Sequence, residues 1–264
     1  RCLRLWLSDI SDSKRMINDW EKSYCNMIRA AGISRKYLIL ISLIIPSFIL
    51  PIISVDEIIL AISLITGLVS VVSVFVFVVN FAIVIEDHIE NTKNYFEKLI
   101  NLVSIVMGRE AAAKIEILFS DQLFQKRIYV KYTPVILLIG FISLLFASDP
   151  TKHFLMIISL LIFNALPSLF INHLLIIYNN HIVWEVSLIR NFKNIVGQEL
   201  NELMEYGVFK TRFYPSIILS IITFTLYPVV KIILKFNSHY DEHVSRHRKN
   251  HSVIKSYFTK TLRL

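Results

Sequence analysis

The sequence predicts an all-α, polytopic integral membrane bundle of about five transmembrane helices, and three observations carry that fold class. The run from Ile58 to Ile85, IILAISLITGLVSVVSVFVFVVNFAIVI, contains no ionisable side chain. Charge elsewhere is confined to blocks between apolar runs, as expected where lipid excludes it. The 264 residues are 55% hydrophobic, above the roughly 45–50% of ordinary soluble domains, and the mean hydropathy is +0.58. As a helix the Ile58–Ile85 run reaches roughly 42 Å, whereas a bilayer core of about 30 Å needs about 20 residues. It crosses with length to spare.

Residues 1–36 read as a cytoplasmic amphipathic segment. Ser8, Asp9, Ser11, Asp12 and Ser13 offer N-caps, Ile17, Trp20, Tyr24 and Ile28 form one helical stripe, and Gly32 supplies a stop. Residues 37–85 form a first transmembrane hairpin, whose opening span contains Pro46 and Pro51 and should kink there. The turn 54–57 leads into the long helix, where Gly67, Ser70 and Ser73 admit a close helix neighbour.

Past Ile85 the helix turns polar without ending. Ile85, Ile89, Thr92, Phe96, Leu99, Val103 and Val106 keep a heptad seam, Gly108 ends it, and Ala111, Ile115 and Leu118 line a second piece. Residues 86–133 therefore read as a cytoplasmic helical hairpin. Residues 134–178 form a second transmembrane hairpin, and 179–212 a second helical extension with Ile177, His181, Trp184, Leu188, Phe192 and Ile195 near one face, closed by Gly207. Asn80 and Asn172, then His88 and His181, fall at matching places in the two halves, as in a parallel tandem repeat.

Residues 213–235 read as a fifth span, and 236–264 as a basic, His-rich amphipathic tail. The net charge of +8 would indicate nucleic acid in a soluble protein. Here it fits the excess of Lys and Arg in cytoplasmic loops, and direct nucleic-acid contact is not indicated. Lys and Arg number 8 in 1–36, 7 in 86–133 and 4 in 180–212, with Lys152 alone in the outer turns. The protein is thus expected in the plasma or inner membrane, multi-pass, with a cytoplasmic N-terminus. The tail is the exception: residues 231–264 hold 8 basic residues, yet five full crossings place them outside. A plain fifth crossing is the expectation, with a chain turned back at Pro228 as the alternative.

Candidate polar chemistry is sparse. Asn80, Asn164, Asn172 and His173 are the intramembrane polar residues, read as interhelical hydrogen-bonding groups or, alternatively, as the lining of a channel or transporter path. His239, His243, His247 and His251 recur every four residues, a spacing at which pairs can hold a metal. Arg246, Arg248 and Lys249 among them repel a cation, so the segment reads as solvated or headgroup-facing, and no metal or cofactor is expected. Val253, Ile254, Tyr257, Phe258 and Leu262 oppose Lys255, Lys260 and Arg263, as in an interfacial helix on anionic lipid. Cys2 and Cys25 lack partners at metal spacing and read as ordinary thiols. No Walker loop, HExxH or GxSxG occurs, so the chain reads as non-enzymatic.

The run Met27-Ile28-Arg29-Ala30-Ala31-Gly32-Ile33-Ser34, leading into a membrane hairpin, resembles the entry to the platform proteins of pilus-type machines: the type II secretion F, Tad-pilus and archaellar platform families. Leu99 to Ala113, with Gly108, resembles half of their cytoplasmic helical module. That resemblance implies a non-enzymatic inner-membrane scaffold of a secretion, pilus or DNA-transfer machine. Its partners would be membrane lipids and other membrane or cytoplasmic subunits, including a motor ATPase. An obligate subunit of a larger complex is the further alternative, and either role implies an oligomer or complex.

Overall fold

The computed structural model describes residues 2–28, 33–34, 36–53, 56–120, 153–197, 200, 202–210, 218–219, 223 and 226–262. Every regular element among them is helical. In chain order these are α1 (Cys2–Ile28), α2 (Lys36–Ser42), α3 (Ile44–Ile53), α4 (Glu57–Val106), α5 (Arg109–Ser120), α6 (His153–Val196), α7 (Leu226–Lys231), a π-helical turn (Ile232–Phe236) and α8 (Asn237–Thr261). The span predicted at 134–147, and Gly32 as a stop, lie outside the described residues.

α1 starts at Cys2, so Ser8 to Ser13 lie inside the helix rather than capping it. The first span breaks at Leu43, between α2 and α3. Pro46 explains the place: it has no N–H to donate to the Ser42 carbonyl, four residues back, and its ring crowds that carbonyl. Asp56 then caps α4, its carboxylate accepting the Ile58 N–H at 2.9 Å.

α4 runs 50 residues without interruption and is the one helix among the described residues long and apolar enough to cross a membrane. Its apolar half packs on α2 and α3 through small residues. The Ser70 hydroxyl donates to the Ile41 carbonyl at 2.8 Å, the Ser63 hydroxyl donates to the Ser47 carbonyl, and a Cβ on Gly67 would meet Ser47 at 3.4 Å. Ser73 instead bonds back to Val69 in its own helix. Gly108, at φ +93°, turns the chain from α4 into α5.

Beyond the apolar half, α4, α6 and α8 run parallel. Phe236 meets Phe81 and Tyr178, each at 5.0 Å between ring centroids. Further along, Phe96 meets Trp184 at 5.7 Å, and Phe192 meets Phe258 at 6.3 Å. α1 closes the bundle in the opposite sense. Asn237 clamps the Ile33 backbone at one end, accepting its N–H at 3.1 Å and donating to its carbonyl at 2.8 Å. At the other end Trp20, fully buried, stacks on Tyr95 and lies tilted against His251, 4.3 Å between centroids. The Ile17–Trp20 stripe is therefore part of the core. α6 ends at Gly197, φ +86°, ten residues before the predicted Gly207 stop.

Two expectations for the tail are corrected. A full crossing over 213–235 would part its ends by about 30 Å, but the Phe209 and Phe236 rings lie 5.8 Å apart. Asn179 fixes that level, its amide accepting the Phe209 N–H and donating to the Phe209 carbonyl, both at 2.8 Å. The tail thus returns beside α1. Nor is the tail an interfacial helix: His243, His247, Asn250, His251, Ile254 and Phe258 are buried in the bundle, while Arg248 and Lys249 face out.

Candidate metal centre

Each of the three parallel helices carries donor groups to one buried point. α4 supplies His88, one turn past the end of its apolar run and between the seam residues Ile85 and Thr92. α6 supplies His181 and Glu185, four residues apart and so on one face. α8 supplies His243 and His247 at the same spacing. The π turn sets the phase of α8, because one extra residue in a helix rotates everything beyond it by about 100°. With that turn in place Phe236, Tyr240, His243 and His247 all face inward.

His88, Glu185, His243 and His247 each offer one ligand atom within 4.8 Å of all the others, and all four residues are buried. His88 Nε2 lies 3.1 Å from His243 Nε2, which lies 3.0 Å from His247 Nε2. Glu185 Oε2 is 3.2 Å from His243 Nε2, and Glu185 Oε1 is 3.3 Å from His247 Nε2 and 3.9 Å from His88 Nε2. Ligand atoms bonded at about 2.0–2.1 Å to a tetrahedral ion stand about 3.3–3.4 Å apart. The observed spacings bracket that value. Hydrogen bonding alone accounts for them poorly, since three imidazole nitrogens aimed at one point leave few of them as donors. Both Glu185 oxygens are buried.

The electrostatics suit a cation. Burial pushes the Glu185 carboxyl up, but His243, His247 and His181 outweigh it and hold the group well below the usual carboxylate range. It is an anion in a closed interior. Burial lowers His243 to about 4, against the opposing pull of Glu185, and a metal ion binds the neutral imidazole. Three imidazoles and one carboxylate, with no thiolate, form a donor set for a divalent first-row ion.

A surrounding shell orients the rings, as around bound metals generally. The Tyr206 hydroxyl lies 3.0 Å from His247 Nδ1 and the Tyr240 hydroxyl 3.4 Å from His88 Nδ1, each leaving Nε2 toward the centre. His181 Nε2 lies 3.0 Å from Glu185 Oε1 and steadies the carboxylate. Asn250 donates to the Tyr206 hydroxyl at 3.0 Å.

The sequence-predicted residues are divided by this geometry. Of the tail histidines, His243 and His247 enter the centre. His239 lies aside against Tyr178 and Phe209, and His251 stacks on Tyr24 with centroids 3.7 Å apart. Asn80 donates to the Tyr37 hydroxyl, whereas Asn172 donates to the Ser168 carbonyl in its own helix at 2.9 Å. His173 is exposed beside the buried Asn172, and the Asn164 side chain lies outside the described ones. Asn80 and Asn172 thus bond to separate partners. Glu185 was absent from the sequence reading. Its signal was present as His181-x-x-x-Glu185, the counterpart of His243-x-x-x-His247, with His88 matching His181 in the repeat. Comparisons with protein-family models, curated proteins and solved structures return no match for the chain.

Proposed function

We propose that this is a non-enzymatic, multi-pass membrane protein whose water-side helices are bound together by a divalent transition-metal ion, zinc foremost. His88, Glu185, His243 and His247 are its ligands. The convergence of four buried donors, one ligand atom from each within 4.8 Å of the others, carries the reading. Four full crossings in the plasma or inner membrane, with α1 and α8 on the cytoplasmic side, accord with the distribution of Lys and Arg. The ion would join helices from three distant parts of the chain, closing long loops whose entropy otherwise opposes folding. A bundle so fastened can serve as a rigid scaffold that engages a cytoplasmic partner, such as the motor of a secretion or pilus machine. The unbroken passage of α4 from an apolar to a charged surface supports that role.

Elemental analysis of tag-free protein purified in mild detergent tests the centre. One equivalent of a first-row metal in the wild type, and near none in a His243→Ala/His247→Ala variant, is expected. Equal traces in both would sink the proposal.

A further inference from the structure

All four ligands are shut from solvent, so an ion can enter or leave only if part of the wall moves. Most of that wall is helix. Among the described residues, the one non-helical segment that touches the donors is residues 202–209, a strap between α6 and α8 that lays Tyr206 against His243 and His247, with centroids 4.6 and 4.7 Å apart.

The strap is fastened by side chains rather than by a backbone ladder. Asn250 accepts the Met204 N–H at 2.8 Å and donates to the Met204 carbonyl at 2.9 Å. Arg246 donates to the Glu205 carbonyl, and Arg190 forms a two-pronged pair with the Glu205 carboxylate at 2.8 and 2.7 Å. That pair is exposed, as are Met204 and Val208. Those exposed ties contribute little individually. Opening must also lift the buried Leu203, Tyr206 and Phe209 side chains. Asn179 holds the Phe209 end of the strap in place, so the Met204–Tyr206 portion is the part that swings.

We infer that residues 202–209 are the gate through which the metal ion exchanges, with the Asn250 clamp on Met204 and the Arg190–Glu205 pair as its fastenings. This rests on the metal-centre reading above. A strap that opens withdraws Tyr206 from His247 and uncovers the ion, while α4, α6 and α8 keep the ligands in place. Asn250 also bonds the Tyr206 hydroxyl beside His247, so the Glu205 fastening, which touches no ligand-orienting residue, is the one that separates exchange rate from affinity.

The test loads wild type, Asn250→Ala and Glu205→Ala with one equivalent of Zn²⁺ and follows its release to a chromogenic chelator. Hydrogen exchange at the Met204 amide reports the strap in parallel. The gate predicts release about tenfold faster in Asn250→Ala, the effect of about 1.4 kcal/mol of lost hydrogen bonding, a smaller rise in Glu205→Ala, and no change in a Ser187→Ala control on the exposed side of α6. Stoichiometry stays at one throughout. Faster Met204 exchange with unchanged release would overturn the gate and leave the centre intact. Should Asn250→Ala fail to fold, Glu205→Ala paired with Arg246→Ala carries the same test. No Zn²⁺ bound by the wild type would overturn the centre itself.

Discussion

Between Ile58 and Val76 the outward stripe of α4 is Ile58, Ile62, Ile65, Leu68, Val72 and Val76, all exposed. Three turns on, the outward stripe of the same helix is Asp87, Glu90, Asn94 and Glu97, also exposed. The inward stripe changes differently, from Ser63, Gly67 and Ser70 against short helices to Phe81, Ile85, His88 and Tyr95 inside a bundle. One helix therefore passes from an apolar to a charged outward face without a break. The outward face records the solvent, and the inward face records what each solvent fails to supply. In lipid, no hydrophobic force joins helices, so small residues and hydroxyl-to-carbonyl bonds bring backbones close. In water, aromatic burial does that work, and the interior can afford a charged centre only if its charges are matched.

Four perturbations sharpen the contrast, and the first has the largest expected effect. Deleting Leu234 converts the π turn toward a regular helix and rotates His243 and His247 away by about 100°. Metal is then lost, together with a stabilisation of about 4 kcal/mol at a thousandfold excess of free ion over Kd. Metal content, helicity by circular dichroism and the unfolding midpoint with and without chelator check this. The variant should remain helical, and chelation, which lowers the wild-type midpoint, should no longer matter.

Trp20→Ala removes the fully buried ring that joins α1 to Tyr95 and His251. It should cost about 3 kcal/mol, read by unfolding of the water-side bundle. Protease sites in α1 should open while the α2–α3–α4 hairpin stays protected. Gly67→Ile acts on the other half, forcing a branched side chain toward Ser47. Overpacking costs about 1–3 kcal/mol, partly offset by relief of the helix penalty of glycine, about 1 kcal/mol. A small fall in midpoint with full metal content is the expected pattern.

The smallest effect is a pH dependence at His251. Burial, with Lys255 adding to it and Glu21 opposing, lowers its pKa from 6.5 to about 4. The folded state thus holds the neutral ring more strongly than the unfolded chain does. The resulting stability is present above pH 6.5 and is lost as pH falls toward 4. Replacing the ring by His251→Phe should flatten the midpoint within that window relative to wild type.

Helix boundaries and faces were legible to the extent that local chemistry decides them. The seam from Ile85 to Val106 and the stripe from Ile177 to Ile195 lie inward because a 3.6-residue period leaves an amphipathic helix one way to face. Asp56 and Gly108 bound α4 through their own backbone needs. The level at which 209 and 236 meet is a tertiary fact, held by Asn179 and a ring contact, so counting apolar residues could only yield a fifth crossing. The centre was half visible. The spacing of the tail histidines marked a face, but Arg246, Arg248 and Lys249 between them read as repulsion because a one-dimensional pattern does not show that they point outward. Glu185, the group that neutralises the site, lies 58 residues before His243, and only the parallel course of α6 and α8 brings them together.

X-ray absorption at the metal edge of the purified protein tests the centre most directly. The account predicts about four nitrogen or oxygen neighbours at about 2.0–2.1 Å, outer-shell scattering from three imidazoles, and no sulfur. A spectrum of a hydrated six-oxygen ion, unchanged when His243 and His247 are replaced by alanine, would contradict it.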